Sequence, residues 1–139
     1  MPKSIVLANG CFDMLHYGHL LHLEQAKAMG DELWVSITDD RHVLKGAGRP
    51  IYPEDHRLAM VRALRMVDKA FLVSSLIEAI DFAKPAILCK GTDYRQGLHE
   101  VHENYCKKRG IQICYTTTPK MSATEMIRIA SGSERHQRF

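Results

Sequence analysis

The feature that most constrains the fold is the alternation of short apolar runs with helical patterns along the 139-residue chain. The runs are rich in Val, Ile and Leu, which is typical of strands buried on both faces of a parallel sheet. The alternation predicts an α/β fold with a doubly wound sheet of five parallel strands and helices on both faces. The strands are predicted at Ser4 to Ala8, Glu32 to Thr38, Lys69 to Val73, Ala86 to Cys89 and Ile111 to Tyr115.

Helix start and stop signals separate the predicted strands. Ser75 and Ser122 each begin a Ser-x-x-Glu capping box, and Pro53 suits the first position of a helix. Strands and helices together predict one Rossmann-like domain over residues 1–130, and the polar residues 131–139 are expected to fray. The helices are predicted at Leu20 to Met29, from Pro53 onward, from Ser75 to before Pro85, at Leu98 to Lys108 and from Ser122 to about Ala130.

The composition is that of an ordinary globular protein, with 45% hydrophobic and 25% charged residues. The formal net charge of +3 is too small to indicate a nucleic acid or an anionic membrane as partner, but it suits a small anionic substrate. The apolar runs are too short for a membrane span or a signal peptide. The four cysteines show no CxxC spacing, so we expect reduced thiols in a cytoplasmic protein.

Two histidines lie where such a sheet binds its ligands, beyond the carboxyl end of the first strand. His16 and His19 flank Gly18 at a helix start, in a segment that lacks the GxGxxG and P-loop patterns. The free N–H groups and the dipole of a helix start favour phosphate, and Gly18 lets phosphate oxygens approach the backbone. The spacing equally fits surface or capping histidines. A zinc site with His22 is disfavoured, because the three rings spread around the helix.

The segments around these histidines resemble a known family. The letters GCFD at 10–13, followed by HYGH at 16–19, are similar to the signature of nucleotidylyltransferases, specifically of their cytidylyltransferase-like branch. Two further segments, KGAGRP at 45–50 and KGTDY at 90–94, resemble the adenylyltransferase domain that activates heptose 1-phosphate in bacterial surface-sugar synthesis. The resemblance covers residues 5–129, which is nearly the whole chain.

The resemblance implies transfer of a nucleotidyl group from a nucleoside triphosphate to a phosphorylated sugar or alcohol, with release of pyrophosphate. The barrier is the crowding of negative charge at the α-phosphate, which fixed cations and hydrogen-bond donors lower. ATP with a sugar phosphate such as heptose 1-phosphate is the favoured substrate pair. CTP with glycerol 3-phosphate or phosphoethanolamine is the alternative, and a non-catalytic nucleotide-binding module is a second alternative.

The resemblance also implies a role for each matching residue. Four residues are expected to direct a donor or a cation at the triphosphate: His16, His19, Lys45 and Arg57. Mg²⁺ is expected to enter with the triphosphate, since the sequence shows no carboxylate cage, and the family suggests a homodimer. The residues implied in nucleotide binding are Gly10, Cys11, Phe12, Asp13, Gly18, Asp40, Lys90, Gly91, Asp93, Ser122, Ala123 and Thr124.

Several of these residues also have a purely structural interpretation. Arg57 could form an ion pair with Glu54 in the preceding helical turn. Asp13 could orient a backbone turn or a neighbouring side chain. Asp39 could replace Asp40 as the aspartate that matches the family.

Other positions depart from the family or have a simpler role. Phe12 is expected in the core, and Cys11 is not expected to be a nucleophile because Thr also serves at its position. The capping box alone would explain Ser122. Ala123 stands where the family has a hydroxyl, and Lys120 could replace a positive charge that other members carry nearby.

Overall fold

The described part of the chain forms alternating strands and helices. The structure is a computed structural model of the protein, and it describes residues 2–44, 46–91 and 99–117. In chain order the elements are β1 (Ile5–Gly10), α1 (Tyr17–Lys27), β2 (Glu32–Thr38), a short 3₁₀ helix (Asp40–His42), α2 (Glu54–Arg62), β3 (Lys69–Val73), α3 (Leu76–Ala83), β4 (Ile87–Lys90), α4 (Glu100–Lys108) and β5 (Gln112–Tyr115).

The five strands of these described ranges form one parallel sheet in the order β3-β2-β1-β4-β5, which confirms the predicted architecture. β1 lies at the centre, with Ala8 opposite Val35 of β2 on one side and Cys89 of β4 on the other. The strand order reverses between β1 and β4, and ligands bind at such a reversal, beyond the carboxyl ends of the strands. The site is therefore expected next to Gly10 and Lys90, where β1 and β4 end.

Helices cover both faces of this sheet, because successive side chains of a strand point to opposite faces. On one face, Val6 of β1 belongs to a core cluster with Leu23 of α1 and Val61 of α2. On the other face, Leu7 belongs to a second cluster with Ile80 of α3 and with residues of α4. Each fully buried Leu or Ile contributes about 1.5–3 kcal/mol, so α1 is held firmly against the strand that leads into it.

Three helix starts differ from their predicted positions, and one of them is that of α4, which begins at Glu100 rather than at Leu98. α1 begins at Tyr17, before the predicted Leu20, because two histidine side chains cap its backbone. Pro53 is the residue before α2 rather than its first residue. Ser75 caps α3 as predicted, and its hydroxyl accepts from the backbone N–H of Glu78 at 3.1 Å.

Two further findings concern the length of the helices and the state of the cysteines. None of the helices in the part that the structure describes is long and apolar enough to span a bilayer. The four cysteines are free thiols, as their spacing predicts.

Candidate active site

Residues 11–16, called the β1–α1 turn, join the end of β1 to the start of α1, where the strand order reverses. Phe12 in this turn has a left-handed backbone, with φ at 51°, and its side chain is buried in the core as expected. A Cβ atom at Gly10 would lie 2.9 Å from Cε2 of Phe12, so the ring requires glycine at that position. The centroid of the Phe12 ring lies 5.5 Å from that of His19. The core thus supports the His19 side chain directly.

His16 and His19 cap α1 with their own side chains. His16 Nδ1 accepts from the backbone N–H of Gly18 at 3.1 Å, and His19 Nδ1 accepts from the backbone N–H of His16 at 3.2 Å. The centroids of the two rings are 4.0 Å apart. This reciprocal pattern is a capping box, in which Ser or Thr and Glu are the usual residues. The capping interpretation of these histidines is confirmed.

Capping also fixes where each ring carries its proton. A nitrogen that accepts from a backbone N–H has no proton of its own, so the proton of the neutral ring is on Nε2. Burial lowers the pKa of His16, which favours the neutral ring further. Each imidazole therefore has Nε2–H as its donor, at a helix start whose dipole favours an anion. Capping and phosphate binding can use different nitrogens of the same two rings.

Asp13 fastens the loop between β2 and α2 to the β1–α1 turn. Its carboxylate accepts from the backbone N–H groups of Ile51 at 2.8 Å and Tyr52 at 2.9 Å, and from Nε of Arg49 at 2.7 Å. Burial opposes the charge, but these donors hold the pKa of Asp13 below its ordinary value. The structural interpretation of Asp13, that it orients a backbone turn or a neighbouring side chain, is confirmed, and its implied role in nucleotide binding stays a prediction.

Arg57 is buried, with 1% of its surface exposed, and its guanidinium joins three segments of the chain. Nη1 donates to the carbonyl oxygens of Cys11 at 2.8 Å and Thr38 at 2.7 Å, and Nε donates to that of Tyr52 at 3.0 Å. Nη2 pairs with Oδ1 of Asp40 at 2.7 Å. These hydrogen bonds to protein groups favour a positioning role, and the implied contact of Arg57 with a triphosphate stays a prediction.

The alternative interpretation of Arg57, an ion pair with Glu54, is wrong. Arg57 pairs with Asp40, and Oε1 of Glu54 accepts from the backbone N–H of Asp40 at 2.9 Å. A buried guanidinium requires a partner, and Asp40 supplies a carboxylate that is itself partly exposed, whereas an exposed pair in adjacent turns contributes only a few tenths of a kcal/mol. Asp39 caps the 3₁₀ helix and accepts from the Ser74 hydroxyl at 3.1 Å. Asp40, rather than Asp39, is therefore the aspartate that joins the Arg57 network.

Lys90 and Gly91 lie on the other side of the strand reversal, at the end of β4. Lys90 is 4% exposed, and burial lowers its pKa to about 8. A Cβ atom at Gly91 would lie 4.0 Å from Nδ1 of His22, so this end of β4 is next to α1. Parallel pairing of β1 with β4 brings the Gly10 turn and Lys90 to the same edge of the sheet.

Several predicted site residues and the second capping box lie outside the described residues, and their roles stay predictions. They are Lys45, Asp93, Lys120, Ser122, Ala123 and Thr124.

Sequence reasoning missed two contacts at this site. The pairing of Arg49 with Asp13 joins residues that no local pattern connects. The hydrogen bond between His22 and Thr116 joins α1 to the end of β5, across 94 residues of sequence. The only signal for His22 was its place one helical turn after His19, which does not identify a partner.

Comparisons with known proteins point to one family. Residues 7–129 match the family described as cytidylyltransferase-like. The bifunctional protein HldE of Methylococcus capsulatus is 50% identical over 96 residues, which are 66% of this chain and 20% of that protein. The HldE of Desulfatibacillum aliphaticivorans is 39% identical over 129 residues, which are 90% of this chain and 26% of that protein. The chain thus spans about a quarter or less of the length of these relatives.

Solved structures agree with this similarity. The lipopolysaccharide core biosynthesis protein of Thermoplasma volcanium has a TM-score of 0.74 and 31% identity, covering 86% of this chain and 100% of its own. The pantoate-beta-alanine ligase of Francisella tularensis has a TM-score of 0.61 and 17% identity over 86% of this chain and 60% of its own, so it shows the fold alone. With the family match extending over residues 7–129 and the two capping histidines at the strand reversal, the chain belongs to the cytidylyltransferase-like family of nucleotidyltransferases.

Proposed function

We propose that this protein transfers a nucleotidyl group from a nucleoside triphosphate to a phosphorylated sugar and releases pyrophosphate. The observation that carries the proposal is the pair of capping imidazoles, His16 and His19, at the start of α1. Backbone contacts hold both rings, so their Nε2–H donors need little reorganisation when negative charge develops on a phosphate. Donors fixed in advance are the usual source of a large catalytic effect in such sites.

The bond changes need no strong general base. An oxygen of the acceptor phosphate forms a bond to the α-phosphorus, and the bond from that phosphorus to the bridging oxygen of the β-phosphate breaks. A phosphate monoester has a second pKa of about 6, so its oxygen is already anionic at neutral pH. The residues of the site are therefore needed to align the two phosphates and to stabilise charge, which is the role we assign to the two histidines.

The loop between β2 and α2 includes a further cation that we assign to the phosphates. Asp13 fastens one end of this loop to the β1–α1 turn, and the loop bends at Gly46 and Gly48, whose φ angles are 94° and 78°. We assign Lys45, which precedes these glycines in sequence, to the phosphates as a point charge. Lys90 is a second cation, on the β4 side of the strand reversal.

Mg²⁺ is proposed to enter with the triphosphate, where it would offset part of the phosphate charge. The carboxylates of Asp13 and Asp40 are each paired with an arginine. Among the described ranges, no three His, Cys, Asp or Glu side chains form a metal-binding group. This donor set fits an ion that is held mainly by phosphate oxygens.

ATP and heptose 1-phosphate are the substrates that we propose. The proposal is supported by the KGAGRP and KGTDY segments and by the similarity to HldE proteins. CTP with glycerol 3-phosphate or phosphoethanolamine is the second candidate, favoured by the name of the matching family. A homodimer is also proposed, and light scattering of the purified chain would test it.

A pyrophosphate-release assay tests the proposed function. ATP and CTP are each combined with heptose 1-phosphate, glycerol 3-phosphate and phosphoethanolamine in the presence of Mg²⁺. We expect ATP with heptose 1-phosphate to give the highest rate. Turnover only with CTP and glycerol 3-phosphate would reverse the order of the two candidates. Nucleotide binding without pyrophosphate release from any pair would instead indicate a non-catalytic module.

A further inference from the structure

His22 lies where three elements meet beside the candidate active site. It follows His19 by one turn of α1, and its Nδ1 shares a hydrogen bond of 2.8 Å with Oγ1 of Thr116. Thr116 directly follows β5 and is fully buried. The backbone N–H of Thr116 donates to the carbonyl oxygen of Lys90 at 3.0 Å. Thr116 therefore binds the end of β4 through its backbone and α1 through its hydroxyl.

A second polar contact joins α1 to the segment after β5, about one helical turn beyond His22. Oε1 of Gln25 accepts from the backbone N–H of Thr117 at 3.0 Å. The apolar face of α1, which includes Leu23 and Ala26, packs on the sheet. Apolar packing has no preferred direction, whereas a hydrogen bond requires both a distance and an angle. The contacts of His22 and Gln25 therefore fix where α1 lies relative to the ends of β4 and β5.

The imidazole of His22 is suited to a structural contact that does not change around neutral pH. Burial, together with the nearby charge of Lys90, lowers the pKa of His22 to about 4. The ring is therefore neutral in ordinary conditions, and its contact with Thr116 is a hydrogen bond between two uncharged groups.

We propose that His22 is a positioning residue for the nucleotidyl transfer, a role that rests on the function proposed above. Through Thr116, it holds α1 so that the His16–His19 cap keeps a constant separation from the Lys90 end of β4. The His16–His19 cap and Lys90 would then be placed to contact the same triphosphate. A misplacement of about 1 Å can cost as much as about 10²-fold in rate, so a loss of this bond should lower kcat more than it raises KM.

Two substitutions of Thr116 separate positioning from packing. Thr116→Val removes the hydroxyl and keeps the shape, and we expect kcat to fall about tenfold while KM for the nucleotide stays within about twofold. Thr116→Ser keeps the hydroxyl and is expected to retain kcat within about twofold of the unsubstituted protein. Ser4→Ala is the matched control, because it removes a hydroxyl contact with Asp31 at the opposite end of β1. It should lower the melting temperature without lowering kcat.

Three outcomes would overturn the positioning role: an unchanged kcat in Thr116→Val, an equal fall in Thr116→Ser, or an equal fall in Ser4→Ala. Imidazole NMR gives a readout that does not depend on turnover. The ¹⁵N resonances of His16 and His19 should shift in Thr116→Val and remain in place in Ser4→Ala, and unshifted resonances in Thr116→Val would also overturn the role. Inactivity of the unsubstituted protein with every substrate pair would overturn the proposed function instead, and the catalytic part of this role with it.

Discussion

The backbone N–H of His16 donates to Nδ1 of His19 at 3.2 Å, so the second histidine of the motif caps the helix that the first one begins. This hydrogen bond has two consequences. It satisfies a backbone donor that a helix start leaves without an intrahelical partner. It also leaves the proton of the neutral His19 ring on Nε2. One pair of side chains thus stabilises the helix and fixes the Nε2–H donors that we propose for a phosphate.

Replacement of His19 by alanine tests the second consequence. We expect His19→Ala to lower turnover by about 10²–10³-fold, because one fixed donor to the reacting phosphate is lost. The loss of the cap should cost only about 1 kcal/mol of stability. Pyrophosphate release and thermal melting measure the two effects separately.

His19→Glu is the matched control for capping. Glutamate is the usual residue at this position of a capping box, so stability should return toward that of the unsubstituted protein. Turnover should stay low, since a carboxylate repels phosphate. If turnover recovered together with stability, capping alone would explain the histidine.

Arg57 gives a prediction about stability rather than chemistry. Arg57→Lys cannot reproduce the planar fork that reaches Asp40 and the carbonyl oxygens of Cys11 and Thr38. We expect a loss of about 2–4 kcal/mol in the free energy of unfolding, since buried acceptors lose their donors. Urea denaturation measures this loss.

Arg62→Lys is the control on the same helix. Arg62 donates to a single carbonyl oxygen, that of Ala70, so its replacement should cost no more than about 1 kcal/mol. If Arg57→Lys were as stable as Arg62→Lys but inactive, Arg57 would be a phosphate contact and not a positioning residue.

The lowered pKa of Asp13 predicts that the stability of the fold depends on pH. Its pKa in the folded protein lies below the ordinary value, so its charged form stabilises the fold above a pH of about 4. That contribution is lost as the pH falls through the lowered pKa. The difference in melting temperature between the unsubstituted protein and Asp13→Asn should therefore be largest near neutral pH and shrink in acid. A difference that stayed constant into strong acid would contradict the assignment.

His16 offers a test in a higher range of pH. Burial lowers its pKa, so the folded protein prefers the neutral ring, and this preference stabilises the fold above about pH 6.5. The contribution is lost as the pH falls through the lowered pKa. Serine caps well without titrating, so His16→Ser should remain within about 1 kcal/mol at neutral pH and lose this acid sensitivity. It should also lose turnover, and retained turnover would exclude His16 as a donor to phosphate.

The strands were predictable because a parallel sheet buries both faces of each strand. β2 and β3 lie at the predicted residues, Glu32–Thr38 and Lys69–Val73. The start of α1 was not predictable in the same way. Ser, Thr, Asp and Asn are the side chains that usually cap helices, so a histidine cap gives no standard start signal before Leu20.

The position of His16 and His19 together at one helix start was predictable from their spacing, but the contacts that support this region were not. Asp13 accepts from Ile51 and Tyr52, and Arg57 pairs with Asp40, in each case across a separate segment of the chain. Such contacts depend on how the loops fold back on the sheet. Local propensity, which identifies helices and turns, carries no information about them.

A crystal structure with a non-hydrolysable nucleoside triphosphate analogue and Mg²⁺ tests the central assignment most directly. We expect phosphate oxygens about 3 Å from Nε2 of both His16 and His19, with both Nδ1 atoms still accepting from the backbone of α1. A bound nucleotide whose phosphates lie away from the start of α1, with neither imidazole in contact with them, would contradict it.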